Sequence, residues 1–559
     1  MSLDVVIRGG TVVDGTGGPA RAADVGIAGG RIVEVGRVTD TAAHEVDADG
    51  ALVTPGFVDI HTHYDGQATW DEHLQPSAGH GVTTVVMGNC GVGFAPVRPG
   101  DHDQLIELME GVEDIPGAAL HEGLAWDWGS IGEFLDALER RPHDIDFGAQ
   151  VCHGPLRLFV MGQRGADREP ATAEEIAEMG RLAADGIRAG ALGFTTSRTL
   201  NHRTSRGEPT PTLTAAREEL VGIAHAIGET GAGVLQLVSD FPDFPTEIET
   251  LFEMMRASGR PLSVSLSQTS PGTGYRRVLD ALDRANDEGL TMRAQVAARA
   301  IGVMVGLQGS INPLRGCPTY KVYADLPLAE RVVRLAAPDV RARVIAEYLT
   351  HPMQLGSLFE LTDPPDYEPA ADTSITARAG REGRAPEELL YDLLLADGGR
   401  TMLYVPFLNY FDGNLDAVGE MLAHEHTVPG LGDGGAHVGT ICDGSFPTTL
   451  LSYWGRDRSH GRLDVPWIIH RQCRATAETV GLLDRGLIAP GYKADVNVID
   501  FAHLGVGVPT MAYDLPAGGK RLVQSATGYV HTFVSGVEIQ AGGQPTDALP
   551  GRLVRGGQA

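Results

Sequence analysis

His61 and His63 stand one residue apart in "PGFVDIHTHYD" (55–65), directly after apolar residues that read as a buried strand. In a strand, residues i and i+2 point to the same side, so the two imidazoles would project together from the strand end. Two neutral imidazoles converging on one point suit a divalent metal, and Zn2+ takes nitrogen at about 2.0–2.1 Å. Alone, the pair fits equally a hydrogen-bonded core histidine beside an exposed one. Cys90 closes the next apolar run, "VVMGNCGVGFAP", where a thiolate among glycines could approach a metal closely. By itself it reads more readily as a small buried apolar residue. Asp433 in "LGDGGAH" offers a carboxylate after a short apolar strand, or else a turn-forming Asp-Gly pair. Taken together, His61, His63, Cys90 and Asp433 make a three- or four-ligand site with room for water.

Further polar residues fall near other strand ends. His153 in "VCHGPLR" could polarise a carbonyl or hold an oxyanion, and His202 in "TTSRTLNHRTSRG" could do likewise. His437 and Asp443, shortly after Asp433, could position substrate. His73, His80, His225, His460 and His470 lie in helical or loop contexts and read as structural.

The elements that must carry these residues form a pattern. Apolar runs fit for buried parallel strands occur at 56–63, 83–91, 147–154, 191–197, 233–240, 261–269, 292–297 and 428–435. Amphipathic stretches such as "TAEEIAEMGRLAADGIRAG" separate most of them. Eight strands alternating with helices point to an α/β fold of the (β/α)8 TIM-like barrel type. A doubly wound sheet shows the same alternation, but no Gly-rich phosphate fingerprint follows the first strand. The β-rich first fifty residues, with "ADVNVIDF" and "YVHTFVSGVEI" near the far end, suggest a composite β-sandwich built from both termini. The expected division is 1–54 and 481–559 for the sandwich and 55–480 for the barrel. A helix-rich insertion at about 300–400 would lie over the barrel mouth.

At 559 residues the chain is too long for one ordinary core, and 42% hydrophobic with 21% charged residues is a soluble globular profile. A net charge of −29, with Lys321, Lys493 and Lys520 the only lysines, argues against nucleic-acid or anionic-membrane partners. The start "MSLDVVIRGG" lacks a signal-peptide layout, no apolar run suits a membrane span, and five cysteines are too few and odd for a disulfide framework. A cytoplasmic location is the expectation. A small-molecule substrate is expected as partner, and homo-oligomerisation is expected only from the size of the fold.

The stretches "VIRGGTVVDGTG", "VTPGFVDIHTHYDGQ", "GVTTVVMGNCGVGFAPV", "ALGFTTSR" and "GYKADVNVIDF" resemble the amidohydrolase superfamily, in its N-acyl-D-amino-acid deacylase (D-aminoacylase) branch. The resemblance implies a metal-bearing barrel with a β domain, and a cysteine after strand two in the place where many relatives carry a carboxylated lysine. It also implies that Asp433 moves the proton from water to the leaving nitrogen. The chain departs from the branch in strands five and six. There the family supplies one histidine each, whereas "GVLQLVSDF" and "PLSVSLSQTS" contain none. Asp240 and Gln268 fall in those regions, and one zinc per chain is expected, with another divalent metal as the alternative. The family's substrate-gripping lysine after strand six is absent too, leaving Arg198 and Arg203 as candidates. The expected activity is hydrolysis of a C–N amide bond of an N-acyl amino acid or similar carboxylate-bearing amide. The alternatives are a hydrolase or lyase acting on a cyclic amide or natural-product intermediate, and a catalytically silent ligand-binding relative.

Overall fold

The computed structural model describes residues 3–556. Eight parallel strands carry the architecture: β1 (Phe57–Asp59), β2 (Val82–Met87), β3 (Asp146–Ala149, resuming at Val151–Cys152), β4 (Gly193–Arg198), β5 (Val234–Ser239), β6 (Leu262–Leu266), β7 (Met292–Val296) and β8 (Thr427–Pro429). Each pairs with the next in parallel register. The ring closes where Thr62, past β1, bridges Gly434, past β8, with backbone bonds His63 N to Gly434 O (2.8 Å) and Asp433 N to His61 O (3.0 Å). Closure makes this a (β/α)8 barrel and excludes the open doubly wound sheet. Strand β2, "VTTVVM", is buried on both faces, as a parallel strand covered by helices must be.

The crossover helices follow local rules. Helix α1 (His102–Glu113) leaves β2 and ends at Asp114, which adopts a left-handed conformation. Helix α2 (Ala173–Ala189) starts in a capping box, Thr172 with Glu175, and stops at left-handed Gly190. Its buried Met179, Ala183 and Ile187 recur every fourth residue, so one stripe faces the barrel.

The β domain is one nine-stranded sheet drawn from both ends of the chain. It forks at Leu3–Val12, whose first half pairs with Ala42–Asp47 and whose last residues pair with Leu52–Pro55. Leu52–Pro55 joins the returning chain by pairing antiparallel with Val496–Ile499. Val5, Ile7, Val25, Val496, Val498 and Phe533 fill its core. Residues beyond the last short strand leave this sheet. Gly551 and Leu553 bridge His143 and Phe147 beside β3, and Arg555 reaches Asp136 and Glu139 on the barrel's outer layer.

Between β7 and β8 the chain builds a subdomain with its own apolar core, including Val305, Leu335, Val344, Leu390 and Leu403. A three-stranded sheet (Ile301–Val305, Leu403–Leu408, Phe359–Glu360) anchors it. The turn at 307–310 touches the loop after β8, with Ser310 N donating to Gly439 O at 3.0 Å. No helix among the described residues is long and apolar enough to cross a membrane.

Candidate metal centre

Strand β1 ends at Asp59, whose carboxylate accepts from His61 N at 3.1 Å and so turns the chain at the barrel's C-terminal rim. His61 and His63 keep their alternation past that end, their ring centroids 5.5 Å apart. His61 Nδ1 lies 2.7 Å from Gln295 Oε1 on β7, and Gln295 Nε2 donates to Ser263 on β6. With Gln295 Oε1 facing the ring, His61 carries its proton on Nδ1 and presents the Nε2 lone pair. Glu113 stands behind His63, its Oε1 3.2 Å from Nδ1 but out of line for a hydrogen bond.

Cys90 lies in the short turn Asn89–Gly91 after β2, with φ 56°. Asn89 Nδ2 donates to Thr62 O and Val86 O, and Gln150 Nε2 donates to Asn89 Oδ1. Those bonds pin the turn and hold Cys90 in its left-handed conformation. Asp433 (φ 46°) and His437 (φ 49°) are also left-handed. Backbone strain of about 1–3 kcal/mol per such residue is tolerated where surrounding structure imposes it, often at functional sites.

The side chains converge. His61 Nε2 lies 3.4 Å from Cys90 Sγ and 3.5 Å from Asp433 Oδ1, and His63 Nε2 lies 3.6 Å from the same oxygen. Ligand atoms of His61, His63 and Cys90 fall within 4.8 Å of one another. Two buried imidazoles, a buried thiol and a carboxylate at their edge are a donor set for a borderline-soft divalent ion, zinc foremost. Burial keeps both imidazoles neutral and pushes the Cys90 thiol well up, with the charges of Glu113 and Asp433 adding to that rise. Burial opposes ionisation of Asp433 as well, but the bond from His63 and the nearby His61 and His437 outweigh it and hold this carboxyl below its usual range.

Sequence reasoning missed Glu113. Its carboxylate, at the end of α1 and 1% exposed, sits between His63 and His437, with its second oxygen 3.5 Å from His437 Nε2. Nothing in the local sequence marks this one glutamate among 73 acidic residues. Gln295 was missed for the same reason.

The other candidates are spread around the rim. His202 Nδ1 lies 2.8 Å from Ser197 Oγ, and burial together with His437 and His63 lowers its pKa to about 3. His153 has both ring nitrogens engaged, Nδ1 with Thr196 and Nε2 with Glu219, each at 2.8 Å. Arg198 is clamped by Glu247 and Ala215 O, and Arg203 donates to Gly207 O. Asp240 accepts from Thr199 and Leu200 N of the preceding loop. Gln268 is bound to Asp412 and Gly272 O. The last five bond to groups other than His61, His63, Cys90 and Asp433. Strand β6 aims Ser263 into the barrel beside Gln295; its register partner Gln236 on β5, then Val238 and Ser265 two residues on, share that face.

The chain matches the amidohydrolase family over residues 44–540, and belongs to it. Within that family it falls in the D-aminoacylase branch and is a hydrolase acting on carbon–nitrogen bonds other than peptide bonds. An N-acyl-D-glutamate deacylase from Alcaligenes xylosoxydans xylosoxydans is 29% identical over 99% of this chain and 96% of its own length. A D-aminoacylase from the same organism is 36% identical, over 35% of this chain and 37% of its own. The fold is shared with the crystal structure of N-acyl-D-glutamate deacylase from Bordetella bronchiseptica, complexed with zinc and a phosphonate inhibitor. That structure has a TM-score of 0.66 and 23% identity, covering 99% of this chain and 100% of that one.

Proposed function

We propose that the chain hydrolyses the amide bond of an N-acyl amino acid, with the D-configured substrates of its relatives as the first candidates, using one zinc ion. The observation that carries this reading is that Cys90 Sγ and Asp433 Oδ1 lie 3.4 and 3.5 Å from His61 Nε2 at a closed barrel rim. His61, His63, Cys90 and Asp433 would hold the ion. When bound, it would polarise the scissile carbonyl and lower the pKa of water to about 7.

The chain's own groups supply the rest. Asp433, kept ionised by its imidazole neighbours, takes a proton from water and returns it to the leaving nitrogen, worth roughly 10²–10⁴ in rate. Gln295 keeps the His61 lone pair aimed inward, and Glu113 stands behind His63, 3.2 Å from its Nδ1. His202, neutral in its recess, is set to donate to a developing oxyanion. Support for a single metal comes from β5 and β6, where Val238 and Ser265 offer no imidazole for a second ion.

The test is elemental analysis of protein purified without chelator, with turnover of an N-acyl-D-amino acid panel. About one zinc per chain, lost in His61→Ala/His63→Ala along with activity, is the expected result. Two metals per chain would overturn the single-ion reading. Turnover of cyclic amides alone would overturn the substrate.

A further inference from the structure

Two cavities meet at Arg521. The inner one, of 20 Å³, is lined by Asp433, Cys442 and Asp443 in the segment after β8 and by Gln524. The outer one, of 700 Å³, opens between the barrel and the β domain, with Trp70 and His73 on the barrel side and Ile539 and Gln540 on the other. Gln75, Arg521 and Gln524 line both. These three residues therefore form the partition between the outer cleft and the carboxylate that takes a proton from water.

The partition has a movable part. The Arg521 side chain is buried, donating to Gln75 O at 3.1 Å and making two 2.8 Å bonds to Asp514. Asp514 is 47% exposed, and an ion pair with one partner in water is weak. Both residues belong to the hairpin of Thr510–Leu515 and Gly519–Val523. Leu522 N, bonded to Val438 O at 2.6 Å, fixes that hairpin to the segment after β8. The guanidinium can therefore swing out while the backbone beside it stays in place.

Three buried oxygens mark the path. Gln540 Oε1 at the outer cavity, Gln524 Oε1 at the partition and Asp443 Oδ2 at the inner cavity have no hydrogen-bond partner among the described residues. Buried polar groups left over by the protein are satisfied by ordered water. The inner cavity, at 20 Å³, exceeds the roughly 10–15 Å³ that one water needs and is far too small for an amide substrate. Charge selects in the same direction. Asp71, Asp144, Asp514 and Asp547 line the outer cleft against Arg521 and His73, so the cleft repels carboxylates and admits neutral molecules.

We propose that water reaches Asp433 by a side route independent of the barrel mouth, from the cleft between barrel and β domain, past Arg521, into the inner cavity. Substrate from the mouth and water from the side then do not compete for one entrance. The use of this water in catalysis rests on the proposed hydrolysis, whereas the route itself does not.

The experiment uses two native thiols. Cys442 is buried in the inner cavity, and Cys473, buried beside Pro55 and lining neither cavity, controls for general loosening. Methyl methanethiosulfonate is applied to the purified protein without substrate, and the labelling rate of each thiol is followed by peptide mass spectrometry. Wild type is compared with Arg521→Ala, Arg521→Lys and Ser525→Trp, the last placing an indole at the exposed wall of the outer cleft. Arg521→Ala should raise the Cys442 rate about tenfold by removing a local opening step, with Cys473 unchanged. Arg521→Lys should stay near wild type, and Ser525→Trp should slow Cys442. Equal Cys442 rates in all four proteins would overturn the route and place entry at the barrel mouth. If Arg521→Ala speeds both thiols together, the protein has loosened and Ser525→Trp decides: slower Cys442 labelling upholds the route, and an unchanged rate overturns it. No substrate enters the assay, so a failure of the hydrolysis reading, seen in turnover, is distinguishable from a failure of the route.

Discussion

Glu113 backs His63: one carboxyl oxygen lies 3.2 Å from Nδ1 of that imidazole, while Nε2 lies 3.6 Å from Asp433 Oδ1. Carboxylates in this position fix the tautomer and orientation of a metal-binding histidine, and losing one costs about 10–100-fold in metal affinity. The expectation for Glu113→Ala is a drop of that size in zinc affinity, measured by chelator competition. Glu113→Gln, which keeps an oxygen beside Nδ1, should lose less. Equal affinities in all three proteins would remove Glu113 from the site's support.

Gly434 lets the closing segment press against β1. A Cβ there would stand 2.5 Å from Ser77 Oγ and 2.8 Å from Tyr64 Oη, two groups already bonded to each other. Gly434→Ala should cost about 1–3 kcal/mol of stability by overpacking, and should reduce activity further by displacing Asp433. A urea midpoint and turnover rate indistinguishable from wild type would show that the rim can give way.

The buried triad His153–Glu219–Arg157 separates structure from catalysis. Arg157 and Glu219 are 1% and 0% exposed and joined at 2.6 and 2.8 Å. Glu219→Ala leaves a buried guanidinium unpaired, a loss of roughly 3–5 kcal/mol. With both of its nitrogens engaged, His153 replaced by Asn should lower stability while leaving kcat within about threefold. A collapse of kcat at full stability, well beyond the ~10² of a single acid–base group, would give His153 a catalytic role instead.

His80 predicts a pH dependence of stability. It is buried between Thr448 and Gln524 O, and burial chiefly, aided by Arg299, lowers its pKa from 6.5 to about 4. The unfolded chain therefore takes up a proton between pH 6.5 and about 4 that the folded chain refuses, so stability falls as pH falls through that window. A tenfold difference in proton affinity is worth about 1.4 kcal/mol, which makes this contribution a few kcal/mol. Urea melts at pH 7.5 and pH 5 should show a smaller acid loss in His80→Gln than in wild type. Parallel losses in the two proteins would contradict this.

What the sequence revealed followed from how local each signal was. The eight barrel strands could be read because each is a short apolar run bounded by helices, and periodicity needs no distant partner. The histidine pair was legible because strand alternation alone puts two residues on one side. Their supports were not. Glu113 lies at a helix end fifty residues after His63, and His437 follows more than three hundred residues further on, so no local pattern encodes that meeting. Arg198 and Arg203 looked available because a sequence does not reveal that Glu247 already occupies one of them.

The β domain's split origin has a consequence for synthesis. Leu52–Pro55 is made early, yet its partner Val496–Ile499 emerges about 440 residues later, roughly 20–90 s at ~5–20 residues per second. Throughout that interval the early strands expose an open hydrogen-bonding edge, and the segment that bridges β3 is made later still. The growing chain must therefore carry an unpaired sheet edge for most of its synthesis, the kind of exposure that makes folding intermediates prone to aggregate.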